Sequence, residues 1–169
     1  MQTINPATAD LQVLRALAES QPTLTPQCSL VWTALVDIEA RESLGPSSHG
    51  ERFIVPSAGV HFWGGPGYES LSGIVRPGGA DRQLLRPDGI KQLHALYEMQ
   101  TLDGAVLTID NHVVVDETVR PTRYAMSRIM VTAPQGPHAW LNRRLFVGSL
   151  LPMRPQRLAV LIRAFVVAL

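Results

Sequence analysis

The clearest pattern in the chain lies between Gln92 and Val115. Leu93, Ala95, Tyr97 and Met99 alternate with Gln92, His94, Leu96, Glu98 and Gln100, so one face of this run is apolar and the other largely polar. A period of two belongs to a β-strand, whose successive side chains point to opposite faces. A second run, Ala105 to Val115, follows Asp103-Gly104, a dipeptide whose backbone freedom suits a tight turn. Leu93–Thr101 and Ala105–Val115 are therefore expected to form a hairpin.

Further strands are expected at Ser29–Glu39, Phe53–Trp63 (interrupted at Pro56), Tyr68–Arg76, Tyr124–Thr132, Arg143–Leu151 and Arg157–Val167. Leu44–Gly50, Gly64-Gly65-Pro66-Gly67 and Ala133–His138 read as loops or turns because Gly, Pro and small polar residues cluster there. Two glycine turns, Pro77-Gly78-Gly79 and Arg86-Pro87-Asp88-Gly89, bracket a short segment that holds Asp81. A helix is expected over Ala7–Glu19, where Leu11, Leu14 and Leu17 recur at helical spacing before Pro22 and Pro26 end it. About eight short strands at regular spacing predict an all-β chain, either an antiparallel sandwich or a closed barrel, with a short N-terminal helix.

Composition narrows the class. The 169 residues are 46% hydrophobic and 17% charged, which suits one domain with its own core and excludes a disordered chain. The longest apolar stretch, Leu158 to Leu169, is broken by Arg163 and is too short to span a bilayer. The N-terminus lacks the basic-then-apolar order of a secretory leader. Cys28 is alone, so no internal disulfide is expected and a cytoplasmic setting is favoured. The net charge of +1 hides an asymmetry: every Asp and Glu lies at or before Glu117, and eight arginines follow it. Those arginines make either an anion-attracting pocket, suited to a carboxylate or enolate, or partners for early acidic strands such as the one with Asp37 and Glu39. Few aromatics are interleaved with them, so no nucleic-acid partner is expected.

Several chemistries lack support. The five histidines lie on separate segments, with no pair at the i, i+2 or i, i+4 spacing of a local metal site, so no metal is expected. No Gly-x-Ser-x-Gly elbow, phosphate loop or dinucleotide fingerprint is present. Cys28 has no motif around it, and Lys91, the one lysine, follows a turn where exposure is expected. Acid–base chemistry in a polar pocket remains. Histidine is a residue type suited to proton transfer at neutral pH, and His94 stands on the polar face of the hairpin, which in a ligand-binding barrel is able to line a cavity. Asp81 reads as a base or as an anchor for an arginine.

Taken together, Gly65-Pro66-Gly67, Pro77-Gly78-Gly79-Ala80-Asp81, Arg86-Pro87-Asp88-Gly89, Leu93 to Tyr97, Asp103-Gly104 and Trp140-Leu141-Asn142-Arg143 resemble the DUF3237 family, also called UPF0311. The resemblance runs from about Ser29 to Val167. It implies a closed, lipocalin-like antiparallel barrel, often dimeric, in a family defined mainly as of unknown function. Residues 1–28 are then an N-terminal helical extension, 29–169 the barrel, and a homodimer is expected. The chain departs from the family pattern. Arg82 stands for a tryptophan, His94 for an acid and Leu96 for an arginine, while Ile129 and Met130 follow Arg128 where Phe-Glu is usual. If these positions line the cavity, the pocket is greasier and its proton-transfer group is different.

The expected function is a cofactor-free isomerase, cyclase or dehydratase acting on a small, apolar, oxygenated molecule, of the kind met in secondary metabolism. His94 or Asp81 would be the acid or base, with Arg128, Tyr124 and Asn142 as donors to a developing oxyanion. His61, Trp63, Leu96, Met130 and Trp140 would line the cavity. The alternative is a non-catalytic binding or carrier barrel. A third possibility is an oligomeric structural protein with a filled barrel.

Overall fold

Alternation along the strands sorts the side chains into an inner and an outer set. The computed structural model describes residues 10–169. Its strands are β1 (Gln27–Ile38), β2 (Glu42–Ser47), β3 (Gly50–Gly64), β4 (Gly73–Val75), β5 (Ala80–Leu85), β6 (Lys91–Thr101), β7 (Val106–Asp116), β8 (Tyr124–Thr132), β9 (Leu145–Pro152) and β10 (Ala159–Ala168). The path β1-β10-β9-β8-β7-β6-β4-β3 is closed by antiparallel pairing of β1 with β3. This is a closed eight-strand antiparallel barrel with two extra strands. The extra strands arise because two positions in the wall are split. β4 and β5 pair with successive parts of β3 and β6, and β2 lies beside β3 where β1 has left it.

The splits account for three differences from the sequence reading. Leu44–Gly50, expected as a loop, is mostly β2. The bracketed segment after Gly79 is strand β5, and the strand expected over Tyr68–Arg76 shrinks to β4 because Tyr68 and Leu71 close turns on Gly65 and Tyr68. Pro56 does not interrupt β3. Its carbonyl accepts from the Glu39 amide, so its missing N–H points the same way, into the gap between β1 and β2 where no strand needs it.

Helix α1 (Leu11–Glu19) is capped by Asp10, whose carboxylate accepts from the Gln12 amide at 2.9 Å. The expected first turn, residues 7–9, lies outside the described residues. No residue of α1 from Leu11 to Glu19 is buried, and Leu11, Leu14 and Leu17 are exposed. Among the described residues no helix is long and apolar enough to cross a membrane.

One end of the barrel is packed solid. Trp32, Phe62, Met99, Ile109, Ile129 and Phe146 fill it, and a 3-10 helix over Ala139–Arg143 closes it with buried Leu141. Trp140 stacks on Tyr68 at 5.5 Å and tilts against Phe146. Asn142 clasps the preceding loop: Oδ1 accepts from the Ala133 amide at 2.8 Å, and Nδ2 donates to the Ala133 carbonyl at 3.0 Å. His138, 4% exposed, bonds Asp103 at 2.9 Å and ties that loop to the β6–β7 turn. Among the late arginines, Arg157 makes a bidentate pair with Asp37 at 2.5 and 2.6 Å, joining the approach to β10 with acidic β1.

Candidate active site

The other end of the barrel is open, and a cavity of about 560 Å³ enters it. Its walls are apolar, including Val36, Val55, Leu93, Val113, Val115 and Ile162. They are the inward positions of β1, β3, β6, β7 and β10. Five polar side chains join them: Ser57 on β3, Asp81 and Gln83 on β5, Tyr97 on β6 and Asn111 on β7.

Sheet register gathers them. Asp81 lies beside Ala95, and Ala95 beside Asn111, in one row across β5, β6 and β7. The small Ala95 side chain leaves room between the carboxylate and the amide. Ser57 and Tyr97 approach through Gly79, where an added Cβ would lie 2.6 Å from Tyr97 Cβ and 2.9 Å from Ser57 Oγ. Gly78 has φ +102°, a value suited to glycine. The Pro77-Gly78-Gly79 sequence thus turns the chain from β4 into β5, brings it against Tyr97, and starts β5 in the phase that points Asp81 inward.

The electrostatics follow from burial. Desolvation pushes the Asp81 carboxyl up to about 6, although the Gln83 amide, the His94 backbone amide and the His94 charge all favour its ionised form. Gln83 Nε2 donates to Asp81 Oδ2 at 2.7 Å, while Oδ1 has no partner in the protein. Burial also holds the Tyr97 phenol well above its usual range, so it keeps its proton. The Tyr97 hydroxyl, the Ser57 hydroxyl and both amide atoms of Asn111 are buried without protein partners. Each such group costs about 1–3 kcal/mol of stability, a cost that a polar ligand group placed among them would offset.

Charge gathers at the mouth. Arg41, Lys91, Arg123 and Arg154 line it with Glu39. Glu117 engages Lys91 at 2.8 Å and Arg123 at 3.3 Å. Arg41 lies over the Phe53 ring at 4.0 Å. Among the described residues neither Arg41 nor Arg154 has a carboxylate partner within ion-pair distance. The mouth is therefore net basic, and the inside is apolar with one titratable acid.

The structure separates the residues singled out from sequence. Asp81 lines the cavity. His94 and Leu96 do not, because the polar face of β6 is the outside of the barrel and its apolar face is the inside, the reverse of the expected arrangement. Tyr124, Arg128 and Met130 are on the outer face of β8, whose inner face carries Ala125, Ser127 and Ile129. His61 and Trp63 are exposed on the outside of β3, while Phe62 between them is buried. Trp140 and Asn142 build the closed end and do not reach the cavity. Ser57, Gln83, Tyr97 and Asn111 were not singled out. A signal for Asn111 was present: it is the polar member of the series Leu107, Ile109, Asn111, Val113, Val115, which is otherwise apolar and is buried throughout.

Comparison with known proteins places the chain. The model for the family described as a protein of unknown function, DUF3237, matches residues 26–167. The chain belongs to the DUF3237 family. A UPF0311 protein from Rhodopseudomonas palustris is 32% identical over 141 residues, covering 76% of this chain and 88% of that one. The crystal structure of a conserved protein of unknown function from the same species has a TM-score of 0.76 at 31% identity, covering 86% of this chain and all of that one. The fold also matches a structure described as an enzyme from Penicillium herquei, with a TM-score of 0.68 at 16% identity over 88% of this chain and 98% of that one. At that identity the likeness is one of fold.

Proposed function

We propose that this DUF3237 member is an enzyme that moves a proton on a small, largely apolar, oxygenated molecule held in the barrel cavity. The observation that carries the reading is Asp81: a buried carboxyl, raised to about 6, with one oxygen unpartnered, in a residue that lines the cavity together with Tyr97 and Asn111. A general base works best when its pKa lies near the operating pH. Ionised Asp81 takes a proton from a carbon next to a carbonyl. The electron pair moves onto the carbonyl oxygen, where the Tyr97 hydroxyl and the Asn111 amide donate hydrogen bonds to the growing charge. Asp81 then returns the proton. Delivery to another carbon isomerises the substrate, and delivery to a departing hydroxyl dehydrates it. If the base instead deprotonates a hydroxyl of the substrate, the oxygen adds to an internal double bond conjugated with a carbonyl and closes a ring, and the enolate so formed takes the proton back from Asp81. The basic mouth attracts an anionic or enolised molecule. That a barrel of this shape serves as an enzyme in Penicillium herquei is consistent with the reading and does not select among these reactions.

The apolar lining equally suits a carrier that holds its ligand unchanged. One experiment separates the two. A panel of small aryl and phenolic ketones is incubated with the protein in D2O, and deuterium incorporation is followed by NMR alongside saturable binding. Enzyme-dependent exchange that Asp81→Asn abolishes supports the proposal. Saturable binding with no exchange supports the carrier, and exchange unaffected by Asp81→Asn removes Asp81 from the mechanism.

A further inference from the structure

The outer surface of the same strands holds a second cluster, independent of the cavity. The hairpin register sets His94 on β6 directly opposite His112 on β7. The two imidazoles stack at 4.1 Å between centroids with 17° between planes. Both turn Nε2 toward one carboxylate oxygen, Asp110 Oδ1, at 2.8 Å for His94 and 3.0 Å for His112. Asp110 lies two residues before His112, so it shares the outer face, and all three donor atoms lie within 4.8 Å of one another.

The geometry points to a site for a divalent transition ion of the zinc class, held by His94 Nε2, His112 Nε2 and Asp110 Oδ1, with a fourth position open. Two imidazoles and a carboxylate are a donor set suited to zinc, cobalt or nickel rather than to magnesium or calcium. Zinc bonds to nitrogen and carboxylate oxygen at about 2.0–2.2 Å, which places tetrahedral donors roughly 3.3 Å apart. The present separations of 2.8 and 3.0 Å require the carboxylate to withdraw by a few tenths of an ångström, and the two stacked rings to tilt so that their Nε2 lone pairs converge on the ion. All three side chains are between 30% and 43% exposed, so that movement meets no packed core. Each imidazole then carries its proton on Nδ1 and frees Nε2 for the ion.

The surroundings shape the fourth position. Arg82, His94, His112 and Arg128 form one row across β5 to β8. An outer cleft of about 690 Å³ borders the cluster and is lined by Arg82, His49 and Arg52 as well as the two histidines. Arg52 is spent on the Leu44 and Gly45 carbonyls. Arg82 and Arg128 weaken the hold on a bare cation and favour an anion, such as hydroxide or a small carboxylate, as the fourth ligand.

Zinc chloride titrated calorimetrically into the full chain tests the site, with cobalt(II) absorption as a second readout. The expected result is one ion per chain at micromolar concentration, with the visible spectrum of four-coordinate cobalt and its loss on adding zinc. His94→Gln, His112→Gln and Asp110→Asn should each weaken zinc by about tenfold or more, whereas His49→Gln and His61→Gln should not. Absence of saturable zinc and cobalt binding overturns the site, as does binding that survives the His94→Gln/His112→Gln double variant. Should a variant fail to fold by circular dichroism, NMR of the unaltered protein decides: zinc must shift the ring signals of His94 and His112 and leave those of His49, His61 and His138 in place.

Discussion

Strands β5, β6 and β7 carry two polar clusters on opposite sides of one wall. Inside, Asp81 and Asn111 flank Ala95. Outside, Asp110 bridges His94 and His112. Residues 94 and 95 are adjacent in sequence, as are 110 and 111, yet their side chains live in different solvents. The inner groups are desolvated and largely without partners; the outer groups are half-exposed and satisfy one another. Similar residue types therefore acquire different chemistry. The inner carboxyl is the one we propose for proton transfer, because burial raises its pKa, and the outer carboxylate is the one we propose as a metal ligand, because two imidazoles face it.

The comparison is broken most severely at Asp81. Asp81→Asn is expected to lower turnover by about 10²–10⁴-fold, the range associated with a general acid or base, measured as loss of deuterium exchange in a protein whose circular dichroism is unchanged. Next in size is Ala95→Leu, which fills the space between Asp81 and Asn111. Ligand affinity should fall by about tenfold or more by calorimetry, with a change in stability of less than about 1.5 kcal/mol because the added carbons enter the cavity rather than a packed core.

A further effect concerns pH. The folded-state pKa of Asp81 is raised from 3.8 to about 6, so the native state holds this proton more tightly than the unfolded chain. The cost of ionising Asp81 is absent below about pH 4, grows as pH rises toward 6, and is fully present above that. It should amount to about 2–3 kcal/mol. Asp37 and Glu117 have the opposite sign, because Arg157 and Lys91 hold their carboxyls below the usual range; their contributions are lost as pH falls through those lowered values. Urea unfolding of the unaltered protein and of Asp81→Asn, compared from pH 4 to 7, isolates Asp81: the variant should gain relative stability as pH rises, and parallel curves would refute the assignment. Smallest is the outer face, where His94→Gln should change thermal stability by no more than about 0.5 kcal/mol, as is usual for partly exposed polar positions.

Much of this was legible before the fold. The β6–β7 hairpin, β8 and the last two strands follow from period-two alternation and the Asp103-Gly104 turn, because these signals are local. Strands β2 and β5 were not legible. They are short, rich in Gly, Pro or polar residues, and exist because they complete positions that β1 and β4 leave unfinished. At the site, Asp81 was found because its glycines are conspicuous. Asn111 was missed although it breaks an apolar series. The His94–His112 pair was missed because local spacing was searched, whereas the pair forms across strands at equal distances from the turn.

By itself the sequence determined that the chain is all-β, where most strands lie, which residues share a face, and the family to which it belongs. All of these depend on neighbours along the chain. Only the tertiary structure decided which face is inside. Alternation divides a strand into two sets but attaches no direction to either, and here closure of the barrel put the apolar set around the cavity and the polar set in water. That one choice removed His94, Tyr124 and Arg128 from the cavity, left Asp81 within it, and supplied Ser57, Tyr97 and Asn111 from three different strands.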